Sequence, residues 1–178
     1  MTKKTPEVLM LYTGQLKHTP LGDLWLAASQ VGLVAVVWAQ NELNFQEYLI
    51  KRFKRPLEKN AGRLALTAEE LNEFLQGRLK TFSIPVDWSF LRPFQQAVLK
   101  VTFAIPYGET RRYGEIAAEI ERPGAARAVG RAEATNPMPL VIPCHRVIGA
   151  DGKLRGYGGG EGLPTKEWLL KLEGALMT

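Results

Sequence analysis

The sequence predicts a mixed α+β fold in two parts, a small antiparallel sheet with helices followed by a mainly helical half. Three observations carry this reading. Apolar and polar residues alternate at strand period over residues 9–39, and helical periodicity dominates beyond residue 93. Between them "TFSIPVDWSFLRP" (81–93) holds two prolines and no helical periodicity. The boundary is therefore set within that stretch, giving an N-terminal α+β domain at 1–85 and a C-terminal domain at 86–178. At 178 residues and 46% hydrophobic content, the chain has enough apolar side chains to bury a core without staples.

Taken in order, "VLMLYTGQLKHT", a turn at "PLGD", "LWLAAS" and "GLVAVVWA" read as successive strands of the sheet. Helices are expected at 42–53 and 67–79, the second opened by Thr67 as N-cap with Glu70 three residues on, the spacing of a capping box. In the second half, "PFQQAVLKVTFAI" places Phe94, Val98, Val101 and Ile105 on one helical face and ends at Pro106 and Gly108. Tyr113, Ile116, Ala117 and Ile120 mark a short amphipathic helix, stopped by Pro123 and Gly124. The next helix turns Ala125, Ala128, Val129 and Ala132 inward, which leaves Ala126, Arg127, Gly130 and Arg131 outside.

Two short helices joined by a Pro-Gly turn have helix-turn-helix dimensions, and the second exposes only small residues and arginines. Either a solvated helical hairpin or a close approach to a nucleic-acid backbone fits that pattern. "GADGKLRGYGGGEG" is turn-rich, suited to presenting backbone N–H groups or to forming a surface loop. "LPTKEWLLKLEG" closes the fold as a helix, with Pro164 in its first turn and Gly174 as its stop.

Composition narrows the function classes. A single cysteine excludes an internal disulfide and a multi-cysteine zinc site, and His18 and His145, the two histidines, lie far apart, so neither metal nor cofactor is expected. The N-terminus has no apolar stretch of signal-peptide type, and no run approaches a membrane span, which points to a cytoplasmic protein without membrane contact. The net charge of +5 favours a polyanionic partner without naming one.

Cys144, in "NPMPLVIPCHRVIG", is the residue with the most chemistry. A lone cysteine after an apolar run is by default an inert core thiol. His145 and Arg146 argue otherwise, because basic neighbours favour the thiolate. In an extended segment adjacent side chains point to opposite sides, so Cys144 and His145 are expected to communicate through a water rather than directly. Such a histidine needs an orienting carboxylate, and Glu167, in the first turn of the last helix, is the candidate, although the helix dipole alone also accounts for an acid there.

"PCHRV", preceded by "NP" and followed by "GYGGG" and "KEWLL", with "RPGAARAVG" upstream, resembles the O6-alkylguanine-DNA alkyltransferases, the direct-reversal DNA repair proteins. The likeness runs from about Phe94 to Gly174, while "HTPLGDLWLAAS" and "GLVAVVW" fit the family's more variable first domain. It implies a ribonuclease H-like N-terminal domain and a mainly helical C-terminal domain that holds the helix-turn-helix and the active site. It also implies a suicidal, single-turnover transfer of the alkyl group from O6-methylguanine, or O4-alkylthymine, in double-stranded DNA to Cys144 of a monomer.

By the same likeness His145 is the water-mediated base, Glu167 orients it, and Asn136 braces the turn between recognition helix and active site. Tyr113 donates to the departing guanine, and Val147, Tyr157, Gly158 and Gly159 line the pocket. Arg127 fills the stack as the base leaves it, Ala126, Gly130 and Arg131 lie on the minor-groove face, and Gln95 and Arg122 contact phosphates. Arg131, Glu133 and Gly158 depart from the family pattern. The alternatives from other classes are a non-catalytic helix-turn-helix protein that binds damage or regulates, and a cysteine hydrolase, the latter disfavoured by the Cys-His spacing.

Overall fold

The computed structural model describes residues 9–176, so the charged N-terminal residues and Val8, read above as the start of a strand, lie outside the described residues. Strands β1 (Leu11–Thr19), β2 (Gly22–Ala28) and β3 (Leu33–Val37) form the expected antiparallel meander. A fourth strand, β4 (Leu57–Lys59), pairs parallel to β1 and gives the order β3-β2-β1-β4, so the sheet is mixed. Three residues are too few to show an alternating pattern, which is why β4 left no mark in the sequence.

Helix α1 (Glu42–Phe53) has the expected bounds, with Asn41 accepting the Asn44 N–H as its cap. Helix α2 (Ala65–Leu75) corrects the capping-box reading: it starts earlier, has no side-chain cap, and buries Thr67 inside. Glu70 instead accepts hydrogen bonds from the backbone of Ser83 and Ile84, tying α2 to the connection between the halves. That connection is ordered too. Leu33 N–H donates to Pro85 O and Asp87 N–H donates to Leu33 O, so residues 85–87 run beside β3.

Helix α3 (Pro93–Phe103) leads through a short strand β5 (Arg111–Arg112) to α4 (Tyr113–Glu119) and α5 (Ala126–Ala134), the helix-turn-helix pair. Between these two, the left-handed residue is Glu121 at φ 57°, so the first helix has ended before Pro123 and Gly124 are reached. Val98, Ile116, Ala117, Val129 and Val147 pack the pair onto α3. Strand β6 (Val147–Ile148) pairs parallel to β5, and α6 (Leu163–Leu172) ends in a turn closed by Gly174 at φ 73°, with Ala175 N–H on Leu170 O.

The largest apolar cluster crosses the chain's midpoint. Leu24, Leu26 and Val36 of the sheet, Leu71 and Phe74 of α2, and Leu99 of α3 meet Met138, Leu140, Val141, Ile142 and Leu169 in one core. Burying each large side chain contributes about 1.5–3 kcal/mol, so the run before Cys144 is anchored by both halves. Among the described residues no helix is long and apolar enough to cross a membrane.

Candidate active site

The backbone before the thiol is a chain of turns rather than a strand. Asn136, two residues past α5, donates from Nδ2 to Ile142 O at 2.9 Å and accepts the Met138 N–H at 2.9 Å, which closes the loop from 136 to 142. Leu140 is buried in the left-handed region at φ 74°, a conformation that costs a non-glycine residue about 1–3 kcal/mol and persists because its side chain is held in the core. Val36 N–H of β3 donates to Pro137 O at 2.8 Å, so the first domain helps to set the loop.

Cys144 follows in a 3₁₀ turn, Cys144–Arg146. The expectation of an extended segment is therefore corrected. Pro143 keeps helix from forming before it but does not prevent the turn after it. No hydrogen bond joins the Cys144 and His145 side chains. The thiol is buried, and burial followed by the charge of Glu133 pushes it up to about 12, with Asn136 and Lys166 pulling the other way.

The carboxylate that meets His145 is Glu173, not Glu167. His145 Nε2 lies 2.7 Å from Glu173 Oε1, with both side chains fully enclosed. Glu173 also accepts from Arg146 Nε at 2.9 Å, Arg146 Nη2 at 3.0 Å and the Gly108 N–H at 3.1 Å. Burial opposes its ionisation, but the hydrogen bonds from His145 and Arg146 outweigh that and hold it at about 2. Burial lowers the His145 pKa, so the ring is neutral, carries its proton on Nε2 facing Glu173, and leaves Nδ1 unpartnered as an acceptor.

Glu167 faces solvent and pairs with Lys171 at 2.8 Å, one turn along α6. Helix α6 starts at Leu163, so Glu167 lies just past the first turn where it was expected, and the exposed ion pair one turn along is its ordinary explanation. Glu173 had none: a carboxylate at the C-terminal end of α6 is disfavoured by the dipole, and so is Lys166 near the start. That inversion was the available signal for both residues. Lys166 is fully buried, donates from Nζ to Val147 O at 2.6 Å and Arg155 O at 3.2 Å, and lies 5.9 Å from the Tyr113 ring centroid.

Two cavities meet around Ala134 and Gly158. One, of about 340 Å³, is lined by Cys144, Glu133, Asn136, Trp38, Gly158 and Gly159. The other, of about 660 Å³, is lined by Tyr113, Ala126, Arg127, Gly130, Tyr157 and Gly158. Val147 is buried, and its carbonyl holds Lys166. A Cβ on Gly159 would lie 2.6 Å from the Trp38 ring, and one on Gly158 would lie 2.8 Å from Ala134 O, so the loop approaches both domains too closely for side chains. The Tyr113 hydroxyl, raised to about 12 by burial first and then by Glu133 and Cys144, keeps its proton.

Arg127, Arg131 and Arg122 are exposed, and none forms an ion pair among the described residues. Gln95 corrects a further expectation. Its amide nitrogen donates to Ala132 O, Thr135 O and Thr135 Oγ1, so it caps the end of α5 and has no N–H left for a phosphate. Among the described residues no group of three His, Cys, Asp or Glu could hold a metal ion.

Residues 10–88 match the family model described as 6-O-methylguanine DNA methyltransferase, ribonuclease-like domain, and residues 93–175 match that family's DNA binding domain. A methylated-DNA–protein-cysteine methyltransferase of Salmonella typhimurium is 39% identical over 165 residues, covering 89% of this chain and 94% of the relative. One from Mycolicibacterium paratuberculosis is 52% identical over 117 residues, 65% of this chain and 68% of the relative. The crystal structure of Mycobacterium tuberculosis OGT in complex with DNA is similar at a TM-score of 0.74 and 40% identity, covering 94% of each chain.

Proposed function

The chain belongs to the 6-O-methylguanine DNA methyltransferase family, and on that premise we propose that it repairs DNA directly, moving the alkyl group of O6-alkylguanine in duplex DNA onto Cys144. The observation that carries this is a single buried thiol in a cavity beside the helix-turn-helix, backed by an enclosed His145–Glu173 pair.

The target atom lies inside the duplex, so the nucleotide has to be extruded at a cost of a few kcal/mol. Arg127, exposed at the start of α5 beside the second cavity, is suited to fill the space left behind. Ala126 and Gly130 keep the same face low enough for a close backbone approach, and Arg122 and Arg131 supply charge for phosphates.

In the chemical step the Cys144 proton passes through a water to His145 Nδ1, and the resulting imidazolium is held by Glu173. The thiolate attacks the alkyl carbon, the carbon–oxygen bond breaks, and its electron pair goes to the guanine. Tyr113 donates toward the departing base, and the proton taken from Cys144 restores the balance. The product is a thioether with no carbonyl for water to attack, so the protein is consumed.

Intact-mass measurement after incubation with O6-methylguanine DNA tests this. The expected result is one added methyl group per chain, located on Cys144, with repair stopping at one equivalent of lesion. Repair beyond one equivalent, or DNA binding without mass gain, overturns it; the latter outcome identifies a non-catalytic damage binder.

A further inference from the structure

Glu133 has no part in the relay above, yet it shares a cavity wall with Cys144. It lies on α5 and is 5% exposed. Its Oε1 meets Thr102 Oγ1 of α3, and its Oε2 is buried without a hydrogen-bond partner. An apolar side chain of similar size fills such a wall at lower cost, since a buried carboxylate lacking partners is expensive.

The Thr102 contact suits either charge state. The hydroxyl has one proton and two acceptors in reach, Glu133 Oε1 and, at 3.1 Å, Val98 O. When Glu133 is ionised the hydroxyl donates to it. When Glu133 is neutral its own O–H donates to Thr102 Oγ1, whose proton turns to Val98 O.

The groups facing Glu133 come from four other elements: Thr102 from α3, Tyr113 from α4, Cys144 from its turn and Lys166 from α6. Burial raises Glu133 to about 7, with Thr102 and Lys166 restraining the rise. Lys166 favours charge on Glu133 and on Cys144 alike, and the two negative charges oppose each other.

We propose that the charge on Glu133 governs how readily Cys144 reacts, the neutral acid permitting the thiolate and the carboxylate opposing it. Glu133 thus acts through Cys144 as an electrostatic positioning residue. This rests on Cys144 as the alkyl acceptor.

Single-turnover alkylation of the whole chain by the free base O6-benzylguanine, followed from pH 5.5 to 9, tests it without DNA. The ratio of the Glu133→Gln rate to the parent rate cancels the contribution of His145. It is expected to be constant below about pH 6 and to climb above about pH 7, by up to tenfold per unit, reaching at least about tenfold at pH 9. Thr102→Val removes a hydrogen bond that either form makes but that is stronger to the carboxylate, so it is expected to move the parent's break to higher pH. A ratio independent of pH overturns the proposal. If Glu133→Gln does not fold, an unmoved break in Thr102→Val does so. If the parent is not alkylated by the free base, the same pH series is run with O6-methylguanine DNA, and no alkylation there at any pH overturns the assignment of Cys144 as well.

Discussion

His145 Nε2 and Glu173 Oε1 are 2.7 Å apart, with neither side chain exposed to solvent. The pair joins the turn that carries the thiol to the last residue before the α6 stop, so the orientation of the His145 ring depends on how a helix ends. Arg146, adjacent to His145, grips the other side of the same carboxylate. The proposed relay and the packing of α6 therefore share one carboxylate.

Glu173→Gln should slow alkyl transfer by about 10²–10⁴-fold, the usual loss for a misoriented acid–base component. It should also lower thermal stability by about 3–5 kcal/mol, since it leaves Arg146 buried without its charge partner. Glu167→Ala should leave both unchanged, because its partner is a surface lysine. Single-turnover rates and thermal melts of the two variants measure the contrast.

Acid should unfold the protein through the same cluster. Glu173 is held at about 2 against an ordinary 4.5, so its contribution is fully present above about pH 4.5 and lost as pH falls through 2. That interval corresponds to about 3 kcal/mol. His145, whose pKa burial lowers below 6.5, acts in the same direction and begins to cost stability as pH drops through 6.5. Between pH 7 and about 4.5 Glu133, held at about 7, takes up its proton in the folded state and gains stability, which opposes the loss at His145. Urea midpoints should therefore fall steeply only from about pH 4.5 to 2.5, and Glu173→Gln should flatten that acidic end.

Arg127→Ala should separate extrusion from chemistry. Transfer from alkylguanine in duplex DNA should fall sharply, while alkylation by free O6-benzylguanine should continue at the parent rate, because no base stacking has to be broken. Equal losses with both substrates would place Arg127 in support of the pocket instead.

Two glycines should respond in opposite ways to alanine. Gly159→Ala drives a methyl group into the Trp38 and Tyr157 rings and should cost about 1–3 kcal/mol. Gly130→Ala meets only the Tyr113 ring at 3.8 Å, an ordinary contact, and should gain about 0.5–1 kcal/mol from helix propensity. Its cost should appear in DNA affinity, since Gly130 lies on the face of α5 beside Arg127. Thermal melts and duplex titrations read the two quantities.

Local chemistry made much of this legible from the chain. The three-strand meander, α1, the helix-turn-helix pair and the stop at Gly174 each follow from period, caps and breakers within a few residues of the element they define. Cys144 announced itself as the one thiol in a motif of basic neighbours. Tertiary packing decided the rest. Glu167 and Glu173 are six residues apart on one helix and its cap; the dipole marks Glu173 as out of place, but only the rotation of α6 on the shared core turns it toward His145. Gln95 and Glu133 changed meaning for the same reason, one drawn onto the carbonyls at the end of α5 and the other enclosed beside the thiol. Residue type and spacing set which groups are present, whereas burial and partner distance, which depend on segments remote in sequence, set their charge and their task.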